Sequence, residues 1–438
     1  MFFKLLKSFF KISEDEKFPL YRFIKMAPSS FDLLIKFLGS RVSKEIFKLL
    51  IRAFLYVKPC IKPTGDRHIN VFLEFFNSLS TKKKEALILR LIFHYNIGKF
   101  RRFARFLKTK DKEDVINLTS ITLSIGGLCN LDCPGCFMKG LRSDKFIESD
   151  KIKYILDQTS NNDVFYVSII GSGEPFLNVD SAIELFDCIK NYENMTFIIY
   201  SNGTTINESI AAKASELDNV IIFVSIDGFE KQNSQRMGVG AYKNIIKSFG
   251  LLKKYKIPFG YSTVVHTKNY KVVTSQAFIK EMAGHGNLVG LYNQFCTVRQ
   301  SGCEHFFLDG VSTEEYKKRF KEVSQISPIY LYDLKEVEIA LHGCKGKKGT
   351  ICFIDGVTGK VSPCFLFPYA PSELNVYNDS SPERLSNILR SSFFKGYRKS
   401  YVKGIHCTAD LKGELEYFYR NNLVPYEDGD KIKEIKTR

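Results

Sequence analysis

The chain has 438 residues, 44% of them hydrophobic and 25% charged, with a formal net charge of +17. That length leaves room for two or three domains, and that balance excludes a disordered or fibrous chain. Eleven cysteines in so long a chain exclude a small disulfide scaffold, and a reducing, cytoplasmic setting is expected.

Most of the charge lies at the amino end. Residues 1–115 hold 25 Lys and Arg against 11 Asp and Glu, a balance of +14, together with 17 of the 38 Phe. Phe2, Leu5, Leu6, Phe9 and Phe10 recur with helical spacing among Lys4, Lys7 and Lys11, and 31–38, 44–56, 71–79 and 84–95 read as further helices. No run reaches the ~18–20 uncharged apolar residues of a membrane span. Lysines also interrupt the apolar core that a signal peptide needs. Within 99–108, Phe100, Phe103 and Leu107 share a helical face while Arg101, Arg102, Arg105 and Lys108 occupy the rest. Two readings stay open for this first domain. It is a helical cap packed on the remainder of the chain, or a surface for an anionic partner, with membrane placed above nucleic acid, so that the chain lies peripheral to the membrane's inner face. No nucleic acid is expected as a partner, because none of the usual binding motifs occurs.

From about 120 the pattern changes. Apolar β-branched runs at 121–125, 164–170, 196–200, 220–226, 260–265 and 288–293 alternate with helical stretches such as 151–158, 181–191, 211–217 and 242–255. Strand–helix alternation with buried-looking strands predicts a parallel sheet with right-handed crossovers. Just after the first strand stand Cys129, Cys133 and Cys136, a C-x3-C-x2-C cluster in a loop rich in Gly and Pro. Three thiolates at this spacing suit a [4Fe-4S] cube with one iron left open. Zinc is the competing metal, but no fourth His or Cys ligand follows nearby.

This spacing, with Phe137 after the third Cys, resembles the signature of the radical S-adenosylmethionine (radical SAM) enzymes. The resemblance extends to Gly171-Ser-Gly-Glu-Pro175, Ser201-Asn-Gly203, Ser225-Ile-Asp-Gly228 and Arg236. Each of the first three follows a strand, where barrel chemistry gathers; singly, each is an ordinary turn. The family resemblance implies an α/β partial (βα)6 barrel over 116–300. It further implies that Gly173 and Glu174 receive the methionyl amino group and that Ser201 and Asn202 lie near the ribose. Arg236 would meet the carboxylate and the Phe137 carbonyl the adenine, with Ser225 and Asp227 completing the site. Ser172 stands where the family commonly has Gly.

Beyond the barrel, Cys344 and Cys364 bracket a hairpin in the form C-x14-G-x4-C, and Cys407 follows alone. This resembles the SPASM or Twitch extension of the same enzymes and implies an auxiliary [4Fe-4S] cluster within 301–438. Asp410, Cys352 and Cys303 are the candidates for its fourth ligand, or the iron stays open. The alternative is that these cysteines are buried small hydrophobes, as Cys60, Cys188 and Cys296 are read to be.

The resemblance implies an enzyme fed electrons by a flavodoxin or ferredoxin. It would cleave SAM to a 5′-deoxyadenosyl radical that takes hydrogen from a substrate, a peptide or protein side chain before a lipid-linked or small molecule. A non-catalytic iron–sulfur carrier or sensor is the reading from another class. A carrier has no use for the SAM-site residues, which is the argument against it.

Overall fold

A computed structural model describes residues 75–88, 116–139, 142–296, 302–335, 344–366 and 370–399. The chain divides into two compact units, Met1–Ala104 and Arg105–Arg438. In the first, the described part is a helical turn at 75–78 followed by α1 (Thr81–Ile88), with Phe76 buried and the Lys84 ammonium 5.7 Å from its ring centroid. The other expected helices of residues 1–115, the Phe100, Phe103 and Leu107 stripe, Cys60, Cys407 and Asp410 all lie outside the described residues. Among the described residues no helix is long and apolar enough to cross a membrane.

The second unit is built on one nine-stranded sheet. Its strands are β1 (Ser120–Ser124), β2 (Tyr166–Ile170), β3 (Thr196–Ser201), β4 (Val220–Ser225), β5 (Phe259–Val265), β6 (Val289–Gln294), β7 (Tyr330–Asp333), β8 (Ile351–Asp355) and β9 (Val361–Ser362). Their order is β7-β6-β5-β4-β3-β2-β1-β8-β9, parallel throughout except for the β8–β9 hairpin. The six expected strand–helix units are present. The sheet goes further than the alternation implied: β7 extends one edge, and β8 pairs in parallel with β1, so the hairpin read at 350–362 is part of the barrel wall.

Helices α2 (Ser149–Asn161), α3 (Val179–Ile189), α4 (Glu208–Ser215), α5 (Glu230–Met237), α6 (Ala241–Lys254), α7 (Gln276–Gly284) and α8 (Gly310–Ile326) follow β1 to β6. Their starts are set locally. Asn178, Asn207, Ser275 and Asp309 each accept from a backbone N–H three residues on, satisfying donors that a helix start leaves unpaired. Strand parity divides the sheet into two faces. Phe259 stacks on Phe249 of the helices, Tyr261 and Tyr292 meet Phe278 and Phe320 edge to face, and this side of the sheet is fully buried along β3 and β4. The opposite face carries Ser168, Ile198, Tyr200, Phe223, Ser225, Leu291 and Asn293, all only half-buried, so it lines a lumen rather than a packed core.

The extension is docked on the first barrel helix. Gln158 on α2 donates to the Ser381 carbonyl at 2.8 Å and accepts from the Leu385 N–H at 3.0 Å, while Tyr154 donates to the Asp379 carbonyl at 2.9 Å.

Candidate active site

The loop leaving β1 is tied at both ends. The Ile147 N–H donates to the Ile125 carbonyl at 3.0 Å and the Gly127 N–H to the Lys145 carbonyl at 2.9 Å, closing residues 127–145 into a lasso. Gly126 sits at φ +78°, and a Cβ there would lie 2.3 Å from the Lys145 carbonyl oxygen. Inside the lasso stand Cys129, Cys133 and Cys136, each half-buried and none in a disulfide. Arg142 donates to the Leu131 carbonyl at 2.9 Å, and Asp132 pairs with Lys139 at 2.6 Å and with Arg142 at 3.3 Å. The hydrogen bond to Lys139 leads in holding the Asp132 carboxyl below its ordinary range.

The ends of β2 and β3 grip this loop. The Glu174 N–H donates to the Leu128 carbonyl at 2.8 Å and the Ser172 N–H to the Gly126 carbonyl at 3.1 Å. A Cβ at Gly173 would lie 1.9 Å from the Leu128 oxygen, so the two backbones approach to a distance only glycine permits. The buried Glu174 carboxylate accepts from Ser201 Oγ at 2.6 Å and the Asn202 N–H at 2.6 Å, and from the Phe176 N–H at 3.1 Å. Burial nevertheless pushes its carboxyl up to about 7. Asn202 Nδ2 donates to Asn130 Oδ1 at 2.9 Å and reaches Cys129 Sγ at 3.8 Å, and Asn130 Nδ2 donates to Thr204 Oγ1 at 2.8 Å.

β4 and β5 supply the other side. Ser225 ends β4 on the lumen face. Asp227, fully buried, pairs with Arg236 Nε of α5 at 2.5 Å and accepts from the Val264 N–H at 3.0 Å. The Phe295 ring rests on Gly135 of the cysteine loop, where a Cβ would be 2.2 Å from it, and packs with Phe306, Cys303 and Val264. Phe137 packs against Phe365, the rings tilted at 46° with 5.2 Å between centroids, in a cluster with Met138, Ile170, Tyr200 and Phe353.

Burial pushes the Cys133 thiol up to about 11 and raises Cys129 as well; each also feels its neighbouring thiols, while Arg236 pulls Cys133 down. Thiols raised in this way give up their protons when a metal centre binds them. Among the described residues no three His, Cys, Asp or Glu side chains converge on the point a single metal ion would occupy, the triad included. By donor count, three thiolates suit a cube that keeps one iron open better than a structural zinc ion, which takes four protein ligands.

At the extension, Cys344 and Cys364 are buried. A Cβ at Gly346, two residues after Cys344, would lie 3.6 Å from Cys364 Cβ. The Leu366 N–H donates to Cys364 Sγ at 3.4 Å. Cys352 lies in β8, its thiol pushed up to about 12 by burial, and Cys303 sits in the Phe295–Phe306 cluster. The described residues do not gather either with Cys344 and Cys364 into a three-ligand group for one metal ion. Cys188 is buried on α3, and Cys296 ends half-buried just after β6.

Sequence reasoning brought Gly173, Glu174, Ser201, Asn202, Asp227 and Arg236 to this mouth but missed three contacts. Asn130 and Thr204 belong to no motif that could have flagged them. Phe365 follows Cys364, and no local pattern signals that its ring meets Phe137.

Fold and site together define a class: an open parallel barrel with a thiol triad at the carboxyl ends of its strands. The chain belongs to the radical SAM superfamily, whose pattern matches residues 123–273. It is 30% identical over 232 residues to the uncharacterized protein MJ0907 of Methanocaldococcus jannaschii, a match covering 51% of this chain and 77% of that protein. It is 22% identical over 340 residues to the antilisterial bacteriocin subtilosin biosynthesis protein AlbA of Bacillus subtilis, covering 72% of each. The crystal structure of Streptococcus suis SuiB bound to precursor peptide SuiA shares the fold, with a TM-score of 0.54 at 16% identity over 70% of this chain and 71% of that one. The superfamily works with a [4Fe-4S] cluster and SAM, and this chain is an enzyme of that kind.

Proposed function

We propose that Cys129, Cys133 and Cys136 hold the SAM-binding cluster and that the enzyme abstracts hydrogen from a peptide or protein side chain. One observation carries the first part: Glu174 and Asn202, from two successive strand ends, are both bonded to the loop that bears the triad. The bound cluster and SAM would supply a 5′-deoxyadenosyl radical after one-electron reduction, with a flavodoxin or ferredoxin as the donor. The chain's own residues bind and orient. Glu174 takes the methionyl ammonium, since its buried carboxyl gains a counter-charge there. Arg236 keeps both Nη groups for the carboxylate, because Asp227 engages only Nε. Asn202 and Ser201 flank the ribose and the Phe137 carbonyl meets the adenine, with Ser225 beside them on the lumen face. The half-buried lumen wall receives the substrate side chain and the packed helix face keeps water out. Cys344, Cys364 and Cys407 would hold the auxiliary cluster.

The peptide reading is supported by the relatives, of which one serves subtilosin biosynthesis and another structure holds a precursor peptide. The +14 balance of residues 1–115 supports the second reading, a lipid-linked substrate at an anionic membrane. The test is anaerobic reconstitution, reduction with dithionite and quantification of 5′-deoxyadenosine, with the triple Cys→Ala variant as control; cleavage by that variant overturns the assignment. Co-expression with short precursor genes neighbouring this one, read by peptide mass spectrometry, then separates peptide from lipid.

A further inference from the structure

Arg236 is buried, with 9% of its side chain exposed, and its partner Asp227 is completely enclosed. The pair is fixed on every side. Nε of Arg236 meets one carboxylate oxygen at 2.5 Å, the Val264 N–H holds the other at 3.0 Å, and the Asp227 N–H donates to Asn233 Oδ1 at 3.0 Å. Val264 in turn packs on Phe295, which rests on Gly135 between Cys133 and Cys136. The pair therefore stands against the cysteine loop by a continuous chain of contacts.

From this geometry we infer that the Asp227–Arg236 pair sets the reduction potential of the cluster held by the triad, Arg236 stabilising the reduced state and Asp227 limiting it. The inference rests on the cluster assignment made above and adds to it a role independent of SAM. Reduction adds one electron to a centre already bearing three thiolates, so a nearby buried cation favours it and a nearby buried anion disfavours it. Low dielectric keeps both effects from being screened. Because the pair is close to neutral as a whole, removing one member exposes the other. Arg236→Gln leaves an uncompensated carboxylate and Asp227→Asn an uncompensated guanidinium. The two variants must therefore move the potential in opposite directions.

The test is spectroelectrochemical titration of the reconstituted full chain, followed by EPR of the reduced cluster, without SAM and then with it. Without SAM, Arg236→Gln should lower the midpoint potential and Asp227→Asn raise it, while the double variant and Arg236→Lys stay near wild type. Equal SAM-free potentials across the series overturn the inference and leave Arg236 a carboxylate ligand only, read as weaker SAM binding in Arg236→Gln. A shift of the same sign in both single variants overturns it too, since that reports loosened packing rather than charge. Wild-type protein that takes up no four-iron cluster fails the cluster assignment itself, a separate result seen in the iron count before any potential is measured.

Discussion

SAM affinity should rise with pH through the titration of Glu174. Its carboxyl, buried with three hydrogen bonds, titrates at about 7 against an ordinary value of 4.5. Only the ionised form offers a counter-charge to an ammonium group. With a value near 7, roughly a tenth of the sites are ionised at pH 6 and about half at pH 7, so the apparent dissociation constant should fall about fivefold, or ~1 kcal/mol. Above that the ligand's own α-amino group begins to lose its proton, near ~7.7, and the gain levels off. The unliganded protein shows the opposite trend. Between pH 4.5 and 7 the folded carboxyl binds a proton more tightly than the unfolded one, so stability falls as pH rises across that window. The full loss is on the order of 3 kcal/mol at the neutral end. Calorimetry of SAM binding to the oxidised holoenzyme at pH 6 and 7, beside Glu174→Gln, checks the first effect. Wild-type affinity that is flat with pH, or a slope that persists in Glu174→Gln, would refute the reasoning.

Three other outcomes are expected. Gly173→Ala should destabilise the unit by on the order of 2–4 kcal/mol and lower iron uptake, because its Cβ meets the Leu128 backbone; urea unfolding and iron assay read both. Phe365→Ala should cost about 1–3 kcal/mol by removing the ring under Phe137, and should lower SAM affinity while leaving iron content intact, as thermal unfolding and calorimetry would show. Reconstituted wild-type protein should bind about eight irons per chain and the Cys344/Cys364/Cys407→Ala variant about four; a wild type that saturates at four removes the auxiliary cluster.

The barrel was legible because its first six strands are short β-branched runs separated by amphipathic helices, a pattern set by local burial. Two strands escaped for different reasons. β7 is only Tyr330-Leu-Tyr-Asp333, too short and too polar at its end to stand out from a loop. The residues of β8 were read as a strand, but their pairing with β1 joins Ser120 to Ile351, and no local pattern reports a partner so distant. The triad was legible from its spacing and the strand-end motifs from their resemblance to the family, and at Gly173 the close approach to the Leu128 backbone explains the glycine. The lumen was not. Both faces of β3 and β4 carry apolar residues, so periodicity alone gives no sign that Tyr200 and Phe223 are only half-buried while Ile199 and Val224 are sealed. Nor did spacing reveal that Arg236 is tied to Asp227, because the pair forms between a strand end and the last turn of α5.

The parallel seam between β1 and β8 also orders events in time. β1 is buried along all five residues, yet one of its two backbone edges is covered only by 351–355, more than two hundred residues later. A nascent chain synthesised from its amino end completes the cysteine loop, and the strands that grip it, long before that seam can close. Until then β1 is an apolar edge strand with its hydrogen-bonding groups on offer, the kind of surface that recruits chaperones or pairs with other chains. A chain cut after β7 would keep every triad residue and still expose that edge, so it is expected to aggregate where the full chain does not.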